Sequence, residues 1–151
     1  RQRDDRQGLL RHTTVPAGRC EMMPGRTLDQ CRAAHAWKVI QDVKGAEPLV
    51  RKEFKIQTKK LPARILTSGL GQSLAFLEAK NYARHLRAAL DDWVKLPGGH
   101  RTARADDRLL TRIVQGSSDD LRFATAECLA YLVWLVRFAD AEFRDIKEQE
   151  D

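Results

Sequence analysis

Lys52, Lys55 and Lys59 recur at positions i, i+3 and i+7, which on a helix turning about 100° per residue makes a single stripe. Arg51 flanks it. Lys80, Arg84 and Arg87 repeat the arrangement further along the chain. Val50, Phe54, Leu61 and Ile65 fall roughly opposite the three lysines, and Tyr82, Leu86 and Trp93 opposite the second set. Each helix therefore predicts an apolar inner side and a cationic outer side. Ammonium and guanidinium groups in rows of this kind suit phosphates. No aromatic side chain interrupts either row, so the expected chemistry is contact with a nucleic-acid backbone rather than base stacking. The bland alternative is an ordinary solvated face. Against it stands the scarcity of balancing acids on the first of these helices, where Glu53 is the main one.

Nothing in the sequence converges for catalysis. His12, His35, His85 and His100 are scattered, with no H-E-x-x-H pattern and no Cys/His metal spacing. The acid pairs Asp91-Asp92, Asp106-Asp107 and Asp119-Asp120 could suggest a nuclease, but two of them fall at expected helix starts, where capping accounts for them. Asp91 also has Arg87 four residues before it as a partner. Gly69-Leu70-Gly71 is too short to cradle a phosphate and lacks the following Gly-Lys-Ser/Thr. We therefore expect no catalytic residue, no metal site and no cofactor. His35, beside Trp37, is expected as a packed helix residue. Cys20, Cys31 and Cys128 are odd in number and show no C-x-x-C spacing, which predicts free thiols.

The elements that must carry these side chains follow from the punctuation. Residues 1–26 lack apolar periodicity and read as an N-terminal arm, leaving 27–151 as one helical domain. Thr27 with Gln30 three residues later is a capping-box pattern, opening a helix that ends near Lys44 at Gly45. A second helix begins at Pro48, and Pro62 is expected to kink or interrupt it. Ser68 to Gly71 forms a corner before a short helix, Gln72 to Ala79. Another helix is expected from Asn81 to Val94. After a loop from Leu96 to about Ala105, Asp106 is placed to cap a helix carrying Leu109, Leu110, Ile113 and Val114 up to Gly116. Ser117-Ser118-Asp119-Asp120 then opens the longest helix, expected from about Asp119 to Lys147. The fold class is all-α, a single-domain bundle of about six helices with a long C-terminal helix.

Composition agrees with a globular chain of 151 residues, with 42% hydrophobic and 32% charged side chains. No apolar run approaches the roughly 20 residues that span a bilayer. The polar, arginine-rich start carries no apolar signal segment, so a cytoplasmic location is expected. The net charge of +6 is unevenly distributed. Residues 1–26 hold six basic and three acidic side chains, residues 27–105 fifteen and seven, and residues 106–151 six and eleven. A polyanion is expected to meet the middle of the chain, not its acidic end.

The last helix is apolar on two sides. Leu121, Thr125, Cys128, Leu132, Leu135, Ala139 and Phe143 make one face. Phe123, Ala126, Ala130, Val133, Trp134 and Ala141 lie mostly opposite. Either the helix is central and wrapped by the others, or the second face, through Phe123, Val133 and Trp134, admits a neighbouring subunit.

Two stretches carry a family resemblance. One runs from Lys59-Lys60-Leu61-Pro62 through Gly69-Leu70 to Ala75-Phe76-Leu77. The other is Trp134-Leu135-Val136-Arg137-Phe138-Ala139-Asp140. Together, in this order, they resemble the small, all-helical subunit family of type III-B (Cmr-type) CRISPR RNA-guided effector complexes, over about Leu28 to Phe143. Ser68 stands where that family often has asparagine, and residues 1–26 have no counterpart in it. The resemblance implies a non-catalytic ribonucleoprotein subunit of antiviral defence that stacks in several copies as a minor filament beside other Cmr-type subunits, lining the path of guide RNA and target RNA. Such stacking is head-to-tail and does not close. Arg137, inside the second stretch, then becomes a further candidate for RNA or for a neighbour. The isolated protein is expected to be monomeric, with no membrane association.

Two other functions compete. A helix-turn-helix DNA-binding regulator would use Gly69-Leu70-Gly71 as its turn, but the helix after it offers mainly Gln72 and Ser73 to base edges, fewer than a recognition helix needs. A purely structural adaptor would instead set its basic face against an acidic protein.

Overall fold

The computed structural model describes residues 25–80, 83–96 and 108–147. Six helices account for the regular structure: α1 (Leu28–Lys44), α2 (Pro48–Ser68), α3 (Leu70–Ala79), α4 (Arg84–Trp93), α5 (Leu109–Gln115) and α6 (Ser118–Glu142). The described residues contain no strand. The all-α bundle with a long last helix is thus observed. Most of the arm, together with Asn81, Tyr82 and the loop bearing His100, Asp106 and Asp107, lies outside the described residues.

Local chemistry explains the strongest boundaries. The Thr27 hydroxyl accepts from the Gln30 N–H at 3.1 Å while Gln30 Oε1 accepts from the Thr27 N–H at 2.8 Å, a reciprocal cap that starts α1. Ser117 and Asp120 repeat the device at α6, at 3.0 and 3.1 Å. Each cap satisfies backbone donors that a helix start leaves unpaired. Gly69 joins α2 to α3 with φ +84 and ψ 161, a conformation essentially reserved for glycine. The hinge is tight enough that α3 starts at Leu70 rather than at Gln72.

Three other expectations are corrected. Pro62 does not interrupt α2, which runs through it. The proline forfeits the bond to the Thr58 carbonyl, but Leu61 and Ile65 on either side are buried, and their packing holds the turn. The fourth helix starts at Arg84, because Ala83 takes a left-handed conformation, φ 55 and ψ 46, that ends helical pairing upstream. α6 stops at Glu142, short of Lys147. The Phe143 N–H closes its final turn on the Ala139 carbonyl, and the Lys55 ammonium holds the carbonyls just beyond, as described below.

α6 is the spine, packing most extensively on α1 and α2, while α3 bridges α2, α4 and α5. Its expected core face is largely right: Cys128, Leu132, Leu135, Ala139 and Phe143 are buried. Leu121, in the first turn of α6, is not, at 41% exposure. Phe54 of α2 meets Phe143 edge to face at 6.4 Å, and Trp93 of α4 stacks on Tyr131 at 5.6 Å, both within the usual range for aromatic pairs. Val50, expected inward, sits on the surface, as does Val114. Cys128 is a buried free thiol, as expected, pushed up to about 12 by burial. Cys31 departs from expectation: it is disulfide-bonded. No helix among the described residues is long and apolar enough to cross a membrane.

Candidate nucleic-acid interface

The seven candidate cations, six from spacing and Arg137 from the family resemblance, separate into two groups once the helices pack. Lys55 is 7% exposed, and its ammonium donates to the carbonyl oxygens of Phe143 at 2.9 Å and Ile146 at 3.0 Å. It therefore stabilises the negative end of α6 and cannot face a phosphate, which corrects the expected three-lysine stripe. Lys59 lies 3.4 Å from Asp140, so α6 also supplies it with a carboxylate. Arg87 approaches Glu78 of α3 at 3.9 Å, and its positive charge also acts on Asp91, the partner the spacing suggested.

Asp91 has another role. Its Oδ1 accepts the Leu109 N–H at 2.8 Å, so that α4 caps the start of α5. Burial pushes this carboxyl above the ordinary aspartate range, against the Leu109 hydrogen bond and the positive charge of Arg112. Arg112 in turn donates to the Asp91 and Val94 carbonyls at the end of α4.

The second group of cations points outward. Lys80, Arg84 and Arg137 are exposed and Lys52 is half-exposed, and none of the four is within ion-pair distance of a carboxylate among the described residues. Lys80 and Arg84 flank one corner, at the end of α3 and the start of α4. Arg137 stands on the outer side of α6.

That outer side is open, not wrapped by other helices. Val133 is 57% exposed, Ala126 and Ala141 are exposed, and Phe123 and Trp134 are half-buried. Trp134 leans onto α1, where its Nε1 donates to Asp29 at 3.0 Å. Its ring contacts Phe138 at 5.6 Å, and Phe138 meets Trp37 of α1 at 5.2 Å. Trp37 is itself 44% exposed, so α1 extends the apolar face. Sequence reasoning treated Trp37 only as a neighbour of His35. The signal was available in its position, about a quarter-turn from the buried Ala36, Ile40 and Val43 side of the helix.

A polar cluster behind this face was also missed. Arg32 donates two parallel bonds to Glu127, both at 2.8 Å, and Trp93 Nε1 donates to the same carboxylate at 2.9 Å. Burial works to raise Glu127, but the hydrogen bonds from Arg32 and Trp93 and the charge of Arg32 outweigh it and hold the carboxyl below its ordinary range. The same pairing raises Arg32. One turn on, His35 bridges Asp92 and Tyr131, each at 2.7 Å. A carboxylate only accepts, which places a proton on Nε2 and leaves Nδ1 to the Tyr131 hydroxyl. Burial raises Tyr131, so its O–H stays protonated and available to donate. The cluster fastens α1, α4 and α6 together. His35 is the packed residue expected, though held by hydrogen bonds as well as by its ring contacts.

Among the described residues no group of three His, Cys, Asp or Glu side chains is placed to hold a metal. Ser73, one of the two base readers of the helix-turn-helix alternative, is buried, and its hydroxyl returns to the Gly69 carbonyl at 2.7 Å.

Fold and surface define a small all-helical bundle with outward cations at one corner and an open apolar face along its longest helix. Residues 28–142 match the model of a family described as CRISPR-associated protein (Cas_Cmr5). The chain belongs to this family, the small subunit of the type III-B Cmr complex. A CRISPR-associated Cmr5 family protein from Thermus thermophilus, known from its X-ray crystal structure, is similar to it. The two are 27% identical with a TM-score of 0.62, over 77% of this chain and 97% of that one.

Proposed function

We propose that this protein is a non-catalytic small subunit of a cytoplasmic Cmr-type ribonucleoprotein, stacking with further copies of itself and with other subunits along guide and target RNA. Lys52, Lys80, Arg84 and Arg137 meet RNA phosphates without reading sequence. The observation that carries this reading is the division among the cations. Lys55 and Lys59 have partners inside the bundle, whereas these four stand outward with no carboxylate beside them among the described residues. An unbalanced surface cation is well hydrated, and its counterion is readily exchanged for a phosphate.

The open face of Phe123, Val133 and Trp134, continued by Trp37, is the contact with a neighbouring subunit. Small alanines at 126, 130 and 141 allow close approach of another backbone. The acidic balance of residues 106–151 against the basic balance of 27–105 suits head-to-tail packing, in which one copy's acidic end meets the basic middle of the next.

The test is RNA affinity against salt for the full chain and for the combined Lys52→Glu, Lys80→Glu, Arg84→Glu, Arg137→Glu variant. Each lost phosphate contact lowers the steepness of log affinity against log salt by about 0.7 for single strands. An unchanged slope in the variant would dismiss these four side chains as the binding face.

A further inference from the structure

Neither basic stripe contains an aromatic side chain, yet the packing of α3 on α2 creates an aromatic–cation pair that spacing does not reveal. Phe76 is 38% exposed, and the Arg64 guanidinium carbon sits 4.1 Å from the centre of its ring. At that distance a guanidinium lies over the ring face. Arg64 is held there by a second contact, its Nη1 donating to Oε1 of buried Gln57 at 3.3 Å. From Phe54 to Leu77 the sequence has four basic side chains and no acidic one. Two of the four, Lys55 and Lys59, turn toward α6. The other two, Lys60 and Arg64, have no carboxylate within ion-pair distance among the described residues. Lys60 is exposed one turn before Arg64, and Gln72 is exposed one turn before Phe76.

A planar cation resting on a partly open ring, with an ammonium one turn away and neither cation within ion-pair distance of a carboxylate among the described residues, suits an unpaired nucleotide. Guanidinium planes and aromatic faces stack bases, and the adjoining ammonium meets the phosphate. An apolar protein neighbour would cover Phe76 but leave the charge on Arg64 without a counterion. We propose that Arg64 and Phe76 form a stacking platform for an unpaired base of single-stranded RNA, with Lys60 on the adjoining phosphate. This rests on the reading that the chain contacts RNA and goes beyond it, because that reading involves the backbone alone.

The experiment uses the full chain and a short oligouridylate carrying one 2-aminopurine, titrated at several salt concentrations. Binding is expected to change the 2-aminopurine fluorescence as the base stacks. Phe76→Leu, which keeps an apolar side chain at a partly exposed site, should abolish that change and weaken binding about fivefold or more. Phe76→Tyr should restore both. Arg64→Lys should keep the salt dependence and lose most of the fluorescence change. Salt-dependent binding with unaltered fluorescence, or Phe76→Leu behaving as wild type, overturns the platform, leaves the backbone reading standing and assigns the exposed ring to a protein neighbour. Absence of RNA binding at any salt overturns both.

Discussion

Arg32 and Arg84 are the same residue type, each on the flank of a helix, yet they belong to regions with opposite physics. Around Arg32 the α1–α4–α6 junction supplies a two-oxygen acceptor, a tryptophan N–H on the same carboxylate and little access to water. Arg84 has no carboxylate within ion-pair distance among the described residues, since Glu78 at the same corner meets Arg87 and Arg108 instead, and its side chain is left in solvent. The first arrangement fixes geometry within the protein; the second leaves charge for another molecule. A cation's role here is decided by what the neighbouring helix brings to it, and Lys52 and Lys55, three residues apart on one helix, divide the same way.

The contrast is broken most severely by Glu127→Gln. Removing the carboxylate strands Arg32 in a semi-buried site, and breaking such a pair costs about 3 kcal/mol or more, readable in urea unfolding. The pH profile sharpens the assignment. Because Glu127 titrates below its ordinary value of 4.5, its contribution to stability is fully present above that pH and drains away as pH falls through its folded value. The Glu127→Gln variant should lack that portion of the acid slope, and an identical slope would show that the carboxylate is not coupled to folding.

A smaller effect is expected of Lys55→Met, which keeps the apolar stem and loses two charged hydrogen bonds to the α6 terminus. About 2 kcal/mol of stability should go, while the salt dependence of RNA binding stays as in wild type. A shallower slope would return Lys55 to the binding face. Val133→Asp should be the mildest for the isolated chain, within about 0.5 kcal/mol by thermal unfolding, because the side chain is already in solvent. Its effect should appear instead in co-purification with neighbouring Cmr subunits, and unimpaired assembly would remove this face from the contact.

The helices themselves were largely legible from sequence. Thr27 with Gln30 and Ser117 with Asp120 satisfy backbone donors within three residues of themselves, so no distant part of the chain is needed to start α1 or α6. The α4 face of Leu86, Ala89, Leu90 and Trp93 was equally plain, since a period near 3.6 survives any arrangement of neighbours. The failures share a cause. Lys55, Asp91 and the end of α6 each depend on a partner tens of residues away, and spacing along one helix carries no information about such partners. Arg87 was matched with Asp91 by a local rule, and its charge does act on that carboxylate, but its ion-pair contact is with Glu78 from another helix.

The candidate interface follows the same division. Spacing placed Lys80 and Arg84 on an outward face, and they are outward. It could not show that Trp37 joins Trp134 and Phe138 in a single aromatic surface, nor that Arg64 rests on Phe76, because each of these contacts joins two helices.

By itself the sequence determined an all-helical chain, its strongest caps, a basic middle and an acidic end, since capping, periodicity and charge are properties of neighbouring residues. Only the tertiary structure decided which cations are partnered inside the molecule and which face water. That outcome depends on where a distant carboxylate or helix terminus comes to rest, and the hydrophobic burial that folds the bundle sets those positions without regard to charge spacing along any one helix.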